Sequence, residues 1–136
     1  MSNTVFNWPV RIYYEDTDAG GIVYNANYLK YMERARTEWL RSLGVEQDTL
    51  LAEGVAFVVR KVELDLQKPG RFNALLTVTV KVTQLKRASM VFEQEVLDEA
   101  GHVLARASVL IACVQIEKMK PFAIPKPLMG VISGAC

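Results

Sequence analysis

Apolar positions recur at two different periods along this chain. Between residues 27 and 43 they fall at helical steps, with Tyr28, Met32, Ala35, Trp39 and Leu43 in one line and Leu29, Tyr31 and Leu40 widening it. Lys30, Glu33, Arg34, Thr37, Glu38 and Arg41 occupy the other side. This spacing predicts a long amphipathic helix with a broad buried stripe. Asn25 or Asn27 is placed to cap its start, and Gly44 to end it. A short second helix is expected over Glu46–Glu53. Elsewhere the period is two or the run is continuously apolar. Residues 4–14 predict a first strand, and residues 55–66, 75–85, 89–97 and 102–116 four longer ones. Lys68-Pro69-Gly70-Arg71 interrupts the series, and Asp98-Glu99-Ala100-Gly101 predicts a hairpin turn. The tail carries Pro121, Pro125 and Pro127 and is expected to hold no regular structure.

Four consecutive strands with short connections imply mostly antiparallel pairing. A helix of about 16 residues then covers one face of a curved sheet, which gives an α+β fold in a single domain, 1–136. Apolar strand edges suggest a dimer as well.

Composition narrows the functional classes. Hydrophobic residues make up 51% and charged residues 23% of 136 residues, which is globular rather than disordered. Sixteen basic side chains against fifteen acidic ones leave a net charge of +1, and so no electrostatic footprint for nucleic acid. No apolar run approaches the roughly 18–20 residues that span a bilayer. The start of the chain lacks a basic segment followed by an apolar one, so a cytoplasmic location is expected. Of the two cysteines, Cys113 lies in an apolar run and is expected to be an inert core thiol. Cys136 is the last residue.

The candidate chemistry emerges by elimination. The single histidine, His102, follows the predicted hairpin turn, so a Ser-His or Cys-His system is not expected. Clustered His/Cys zinc ligands, phosphate loops and dinucleotide fingerprints are missing. No cofactor and no metal are expected. What remains is Glu15, Asp16 and Asp18, leading into Gly20-Gly21. The pattern opens like a calcium loop but fails as one, because Gly20 stands at the fifth ligand position and Asn27 at the twelfth, where a bidentate glutamate is required. An acidic turn that merely caps the helix fits the composition. A working site fits the position: the glycines allow close backbone approach, and the helix start brings unpaired N–H groups beside a carboxylate. A carboxylate next to oxyanion donors can hydrolyse an activated acyl group. A thioester suits so weak a base or nucleophile, since a thiolate leaves readily.

The run Tyr14-Glu15-Asp16-Thr17-Asp18-Ala19-Gly20-Gly21-Ile22-Val23-Tyr24, followed by Asn27-Tyr28 and Glu33-Arg34-Ala35-Arg36-Thr37-Glu38, resembles the hotdog-fold acyl-CoA thioesterases of the 4-hydroxybenzoyl-CoA thioesterase superfamily. The resemblance extends through Val55–Lys61 and through Lys118-Met119-Lys120-Pro121 with Ile124-Pro125-Lys126. It is greatest to the Tol-Pal-associated acyl-CoA thioesterases of Gram-negative bacteria. It implies a hotdog fold and a homodimer or homotetramer with active sites at subunit interfaces. It also implies an acyl-CoA substrate, or an acyl carrier protein thioester. By the same resemblance, Asp18 is the catalytic carboxylate, acting as nucleophile or general base. Helix N-terminal backbone amides near Asn25 and Tyr24 would be the oxyanion donors. That branch often has histidine at position 25, and here it is Asn25. Gly20, Gly21, Val58, Val59 and Arg60 are the expected substrate-binding residues. Arg60, Lys61, Lys86 and Arg87 are candidates for CoA phosphates. The alternative is a non-catalytic hotdog module that binds acyl carrier protein or an envelope-biogenesis partner. Dehydration of hydroxyacyl thioesters ranks last, because it calls for a suitably placed histidine.

Overall fold

The computed structural model describes residues 5–135; Thr4, where the first predicted strand was to begin, and Cys136 lie outside the described residues. The chain runs β1 (Phe6–Arg11), a 3-10 turn (Tyr14–Asp16), α1 (Asn27–Ser42), α2 (Gln47–Ala52), β2 (Val55–Leu66), β3 (Leu75–Leu85), β4 (Ser89–Leu97), β5 (Val103–Gln115), β6 (Lys120–Pro121) and α3 (Lys126–Ala135). One antiparallel sheet has the order β1-β3-β4-β5-β2, with β6 added beside β5. Strands β2 and β3 follow each other in sequence but are not neighbours: β2 closes against β5, with Val55 opposite Gln115 and Leu66 opposite Ala105. The sheet curls around α1, which is the hotdog arrangement expected from the resemblance.

The helical stripe explains the packing. Tyr28, Tyr31, Met32, Ala35, Trp39 and Leu40 of α1 are buried. They meet inward residues of the sheet such as Leu76, Val78, Phe92, Val109 and Ile111. Trp39 and Phe92 pack edge to face, with ring centroids 5.4 Å apart. Gly44 ends α1 with φ +83°. Its N–H donates to Arg41 O at 2.9 Å and the Val45 N–H to Leu40 O at 3.0 Å, the paired bonds of a Schellman motif.

The start of α1 differs from expectation. The cap residue is Ala26, and neither Asn25 nor Asn27 caps with its side chain. The Asn27 amide is spent on Asp16 instead, at 3.0 Å. The tail also differs. Lys120 and Pro121 pair with Gln115 and Val114, and residues 126–135 form α3, with Leu128 and Ile132 buried. Pro127 sits in the first turn of α3, where a backbone N–H would have no helical acceptor, so proline costs little there. No helix among the described residues is long and apolar enough to cross a membrane.

Candidate functional site

The acidic turn forms a closed loop between the 3-10 turn and α1. A bridge between Thr17 and Val23 closes it, and a second bridge ties Ile22 to Arg71. Within it the Asp18 N–H donates to Ile22 O at 2.9 Å, and the Gly21 N–H to Asp18 O at 3.0 Å. Gly21 has φ +75°, a conformation that favours glycine. The Gly20 N–H donates to Asp18 Oδ1 at 2.9 Å, which fixes the carboxylate against its own loop. Oδ2 accepts no hydrogen bond among the described residues, and the side chain is exposed. The glycines therefore orient the carboxylate as well as opening the surface.

Asp18 lines a cleft of about 320 Å³ together with Ile22, Val23, Asn25, Tyr28, Leu66, Gln67, Lys68 and Pro69. The end of β2 and the turn after it form the far wall. Sequence reasoning treated Lys68-Pro69-Gly70 only as a break and missed this contribution. Tyr28 joins the two walls, its hydroxyl oxygen accepting the Gly70 N–H at 2.9 Å. Burial pushes the Tyr28 phenol above its ordinary range, and the Gly70 bond opposes that shift.

The backbone donors are fewer than the helix start suggests. The N–H groups of Asn27, Tyr28 and Leu29 turn back to the carbonyls of Tyr24, Asn25 and Ala26 at 2.8, 3.4 and 3.2 Å. Tyr24 is no oxyanion donor in this arrangement, because its N–H donates to Asp16 O at 2.9 Å and its ring is exposed. The N–H groups of Asn25 and Ala26 have no partner among the described residues, and Asn25 faces the cleft.

The three carboxylates separate by environment. Glu15 is exposed. Asp16 is buried and accepts bonds from the Tyr13 N–H at 2.8 Å and from Asn27 Nδ2 at 3.0 Å. Only Asp18 lines the cleft. Tyr31 stands beside Asp16, with a buried hydroxyl that has no hydrogen-bond partner among the described residues. Its pKa is pushed up, first by burial and then by the negative charge of Asp16.

The remaining candidates lie elsewhere on this chain. The register of β2 shifts between Val59 and Lys61, a bulge at Arg60. Val59 lines a narrow recess of about 60 Å³ between helix and sheet with Arg36, Phe57 and Phe92. Val58 and Arg60 line a different groove of about 440 Å³ with Ala88, Ser89, Met119 and Pro121. One chain alone does not bring Val58, Val59 or Arg60 to Asp18. His102 is exposed after its hairpin turn, as expected, with Nδ1 3.3 Å from Asp98 Oδ2. The His102 backbone N–H, more than the imidazole, holds Asp98 below the usual carboxylate range. Cys113 is fully buried, and burial pushes its thiol pKa up, as suits an inert core residue.

Helix, sheet order and cleft together define a hotdog-fold protein whose site carries a carboxylate and no imidazole. Residues 13–132 match the family model described as "Thioesterase-like superfamily", and the chain belongs to that superfamily. It is 46% identical over 130 residues to the acyl-CoA thioester hydrolase YbgC of Escherichia coli O157:H7, an alignment covering 96% of this chain and 97% of the relative. It is 47% identical over 127 residues to the acyl-CoA thioesterase YbgC of Haemophilus influenzae, covering 93% of each. The crystal structure of "Probable Thioesterase" from Bartonella henselae superposes with a TM-score of 0.83 at 36% identity, over 90% of this chain and 100% of that one. The 1,4-dihydroxy-2-naphthoyl-CoA thioesterase Slr0204 from Synechocystis shares the fold, with a TM-score of 0.89 at 24% identity over 96% of each chain.

Proposed function

We propose that the chain is a thioester hydrolase that cleaves acyl-CoA to free acid and CoA at the Asp18 cleft. One observation carries this reading: Asp18, whose Oδ2 is uncommitted, and Asn25, whose N–H is unpaired among the described residues, line the same cleft. The names of the Escherichia and Haemophilus relatives support the substrate class.

The thioester carbonyl oxygen sits against the Asn25 N–H, with Ala26 as second donor. In the nucleophilic route, Oδ2 attacks the carbonyl carbon and the tetrahedral oxyanion is held by those donors. The C–S bond then breaks, the electron pair leaves on the CoA sulfur, and water protonates it. A second water hydrolyses the mixed anhydride and restores the carboxylate. In the general-base route, Asp18 takes a proton from the attacking water and passes it to the leaving thiolate. One oxyanion donor is worth about 3–4 kcal/mol in well-studied hydrolases.

The dimer belongs to this reading. β2 is the sheet's terminal strand, with β5 on one side. A second copy docked along the other side would add the Val59 recess or the Arg60 groove to the Asp18 cleft. Arg60, with Lys86 and Arg87 just before Ala88, then supplies positive charge for the CoA phosphates. The cytoplasm, where acyl-CoA is made and used, is the corresponding location.

The test is a panel of short-chain, medium-chain and aromatic acyl-CoAs run on wild type and Asp18→Asn. The variant is expected to fold and to lose at least about a hundredfold in turnover, about 3 kcal/mol of barrier. Turnover within a few-fold of wild type would sink the assignment of Asp18. A wild-type protein that binds acyl carrier protein but releases thiol from no ester would instead be a binding module. Label found in the Asp18 carboxylate after single-turnover hydrolysis in isotopically labelled water would establish the anhydride route, because water oxygen enters that carboxylate only when it attacks the anhydride at the Asp18 carbonyl carbon.

A further inference from the structure

Asp16 takes no part in the chemistry proposed above, yet it holds more of the loop than any neighbour. Its N–H donates to Tyr13 O at 3.0 Å and its carbonyl accepts the Tyr24 N–H at 2.9 Å. Oδ2 accepts the Tyr13 N–H at 2.8 Å, and Oδ1 accepts Asn27 Nδ2 at 3.0 Å. The residue is only 6% exposed, and Asn27 only 8%. These bonds reach both ends of the loop: Tyr13 precedes it, while Tyr24 and Asn27 lie where it enters α1. The segment they enclose contains Asp18 and Asn25.

The chemistry of the pair is directional. A carboxylate offers two acceptor oxygens, and here both face donors, one a backbone N–H and the other an amide NH2. An amide at position 16 would keep one acceptor and turn a donor towards Asn27, whose own amide must then flip to accept it, and a charge-assisted bond becomes a neutral one. A carboxylate at position 27 would instead set two carboxylates against each other in a buried place. The bond joins residues eleven apart in sequence, across the whole loop, so its loss is not confined to position 16.

We infer that Asp16 and Asn27 are positioning residues, whose hydrogen bond sets the spacing between the Asp18 carboxylate and the Asn25 N–H. The inference rests on the assignment of Asp18 and Asn25 made above. Displacing a nucleophile relative to its oxyanion donors weakens interactions made in the transition state more than those made with bound substrate. The effect therefore falls on kcat rather than on KM.

Three variants test this: Asp16→Asn, Asn27→Asp, and the two combined. In the combined variant an asparagine at 16 can accept the Tyr13 N–H through its oxygen and donate through its NH2 to the carboxylate at 27. The bond is restored with its polarity reversed. With an acyl-CoA that wild type hydrolyses, Asn27→Asp is expected to lose ten- to a hundredfold in kcat and Asp16→Asn, which the Asn27 amide can meet by flipping, about three- to tenfold, each with KM within about threefold. The combined variant is expected to recover kcat to within about threefold of wild type. Melting temperatures and near-ultraviolet circular dichroism are recorded alongside. Single variants that melt lower but keep wild-type kcat would make the pair a support of stability only and overturn the inference. So would a combined variant that folds like wild type yet does not recover. If the single variants fail to fold, the combined variant decides by the same criterion. A wild-type protein with no hydrolysis, or an Asp18→Asn variant with full hydrolysis, points instead to failure of the underlying assignment.

Discussion

The phenolic oxygen of Tyr28, which lines the Asp18 cleft, accepts the Gly70 backbone N–H at 2.9 Å. Position 70 is tight for a side chain. A Cβ there would stand 3.1 Å from Ile12 Cδ1, 3.1 Å from Val23 Cγ2 and 3.2 Å from the Tyr28 hydroxyl. All of these belong to buried side chains that cannot swing into solvent. Gly70→Ala is therefore expected to cost about 1–3 kcal/mol through overpacking. Tyr28→Phe should cost a similar amount by leaving the Gly70 N–H without a partner. Urea denaturation of each variant measures both. Midpoints unchanged from wild type would mean that the cleft wall yields where the packing says it is tight.

Three buried groups contribute to the alkaline side of the stability curve: the Tyr28 and Tyr31 phenols and, from its lower ordinary pKa, the Cys113 thiol. The pKa values of Tyr28 and Tyr31 are both raised above the ordinary 10.0, mainly by burial. The folded chain thus holds protons that the unfolded chain releases once the pH passes about 10. Stability from the phenols is fully present below that pH and falls as the pH rises towards the folded values, by up to about 1.4 kcal/mol per pH unit for each phenol. Tyr31→Phe should flatten that fall. At neutral pH it should leave stability unchanged or slightly higher, since it deletes a buried hydroxyl with no partner. Chemical denaturation at a series of pH values up to 11 measures both effects. A large loss at pH 7 would show that the Tyr31 hydroxyl bonds to Asp16 in solution.

The parts of the fold governed by periodicity were legible in the sequence. The stripe Tyr28, Met32, Ala35 and Trp39 is buried, and three strand ranges, 55–66, 75–85 and 89–97, match the structure. What escaped depends on contacts between distant residues. The bulge at Arg60 leaves no mark in composition, yet it turns the second half of β2 over. Gln94 shares the inward face of β4 with Met90, Phe92 and Val96 and lies fully buried despite its polarity. Its Oε1 accepts Arg36 Nη1, and its Nε2 donates to Met32 O and Thr79 O. The tail helix was hidden because proline is a breaker in a helix interior and not in a first turn. At the site, Asp18 was singled out by resemblance. The division of labour between Asp16 and Asp18 needed Asn27, eleven residues on from Asp16, and no local pattern reports that contact. The free backbone N–H groups likewise proved fewer than a generic helix start offers. Three first-turn N–H groups are consumed by the preceding carbonyls.

The resemblance implies a histidine at the position of Asn25, so the Asn25 side chain and backbone make different predictions. The structure leaves the Asn25 N–H without a partner among the described residues, and the side chain takes part in no hydrogen bond among them. If the backbone alone stabilises the oxyanion, Asn25→Ala preserves the donor and should keep turnover within about threefold of wild type. Asn25→Pro removes the N–H and should lose about a hundred- to a thousandfold, the range for one oxyanion donor. Because proline also biases the preceding residue away from helical backbone, folding of that variant is checked by circular dichroism before its rate is read. The paired result discriminates. An alanine variant as inactive as the proline variant would transfer the role to the Asn25 side chain. A folded proline variant with near-normal turnover would leave Ala26 as the operative donor and move the carbonyl position one residue towards the helix.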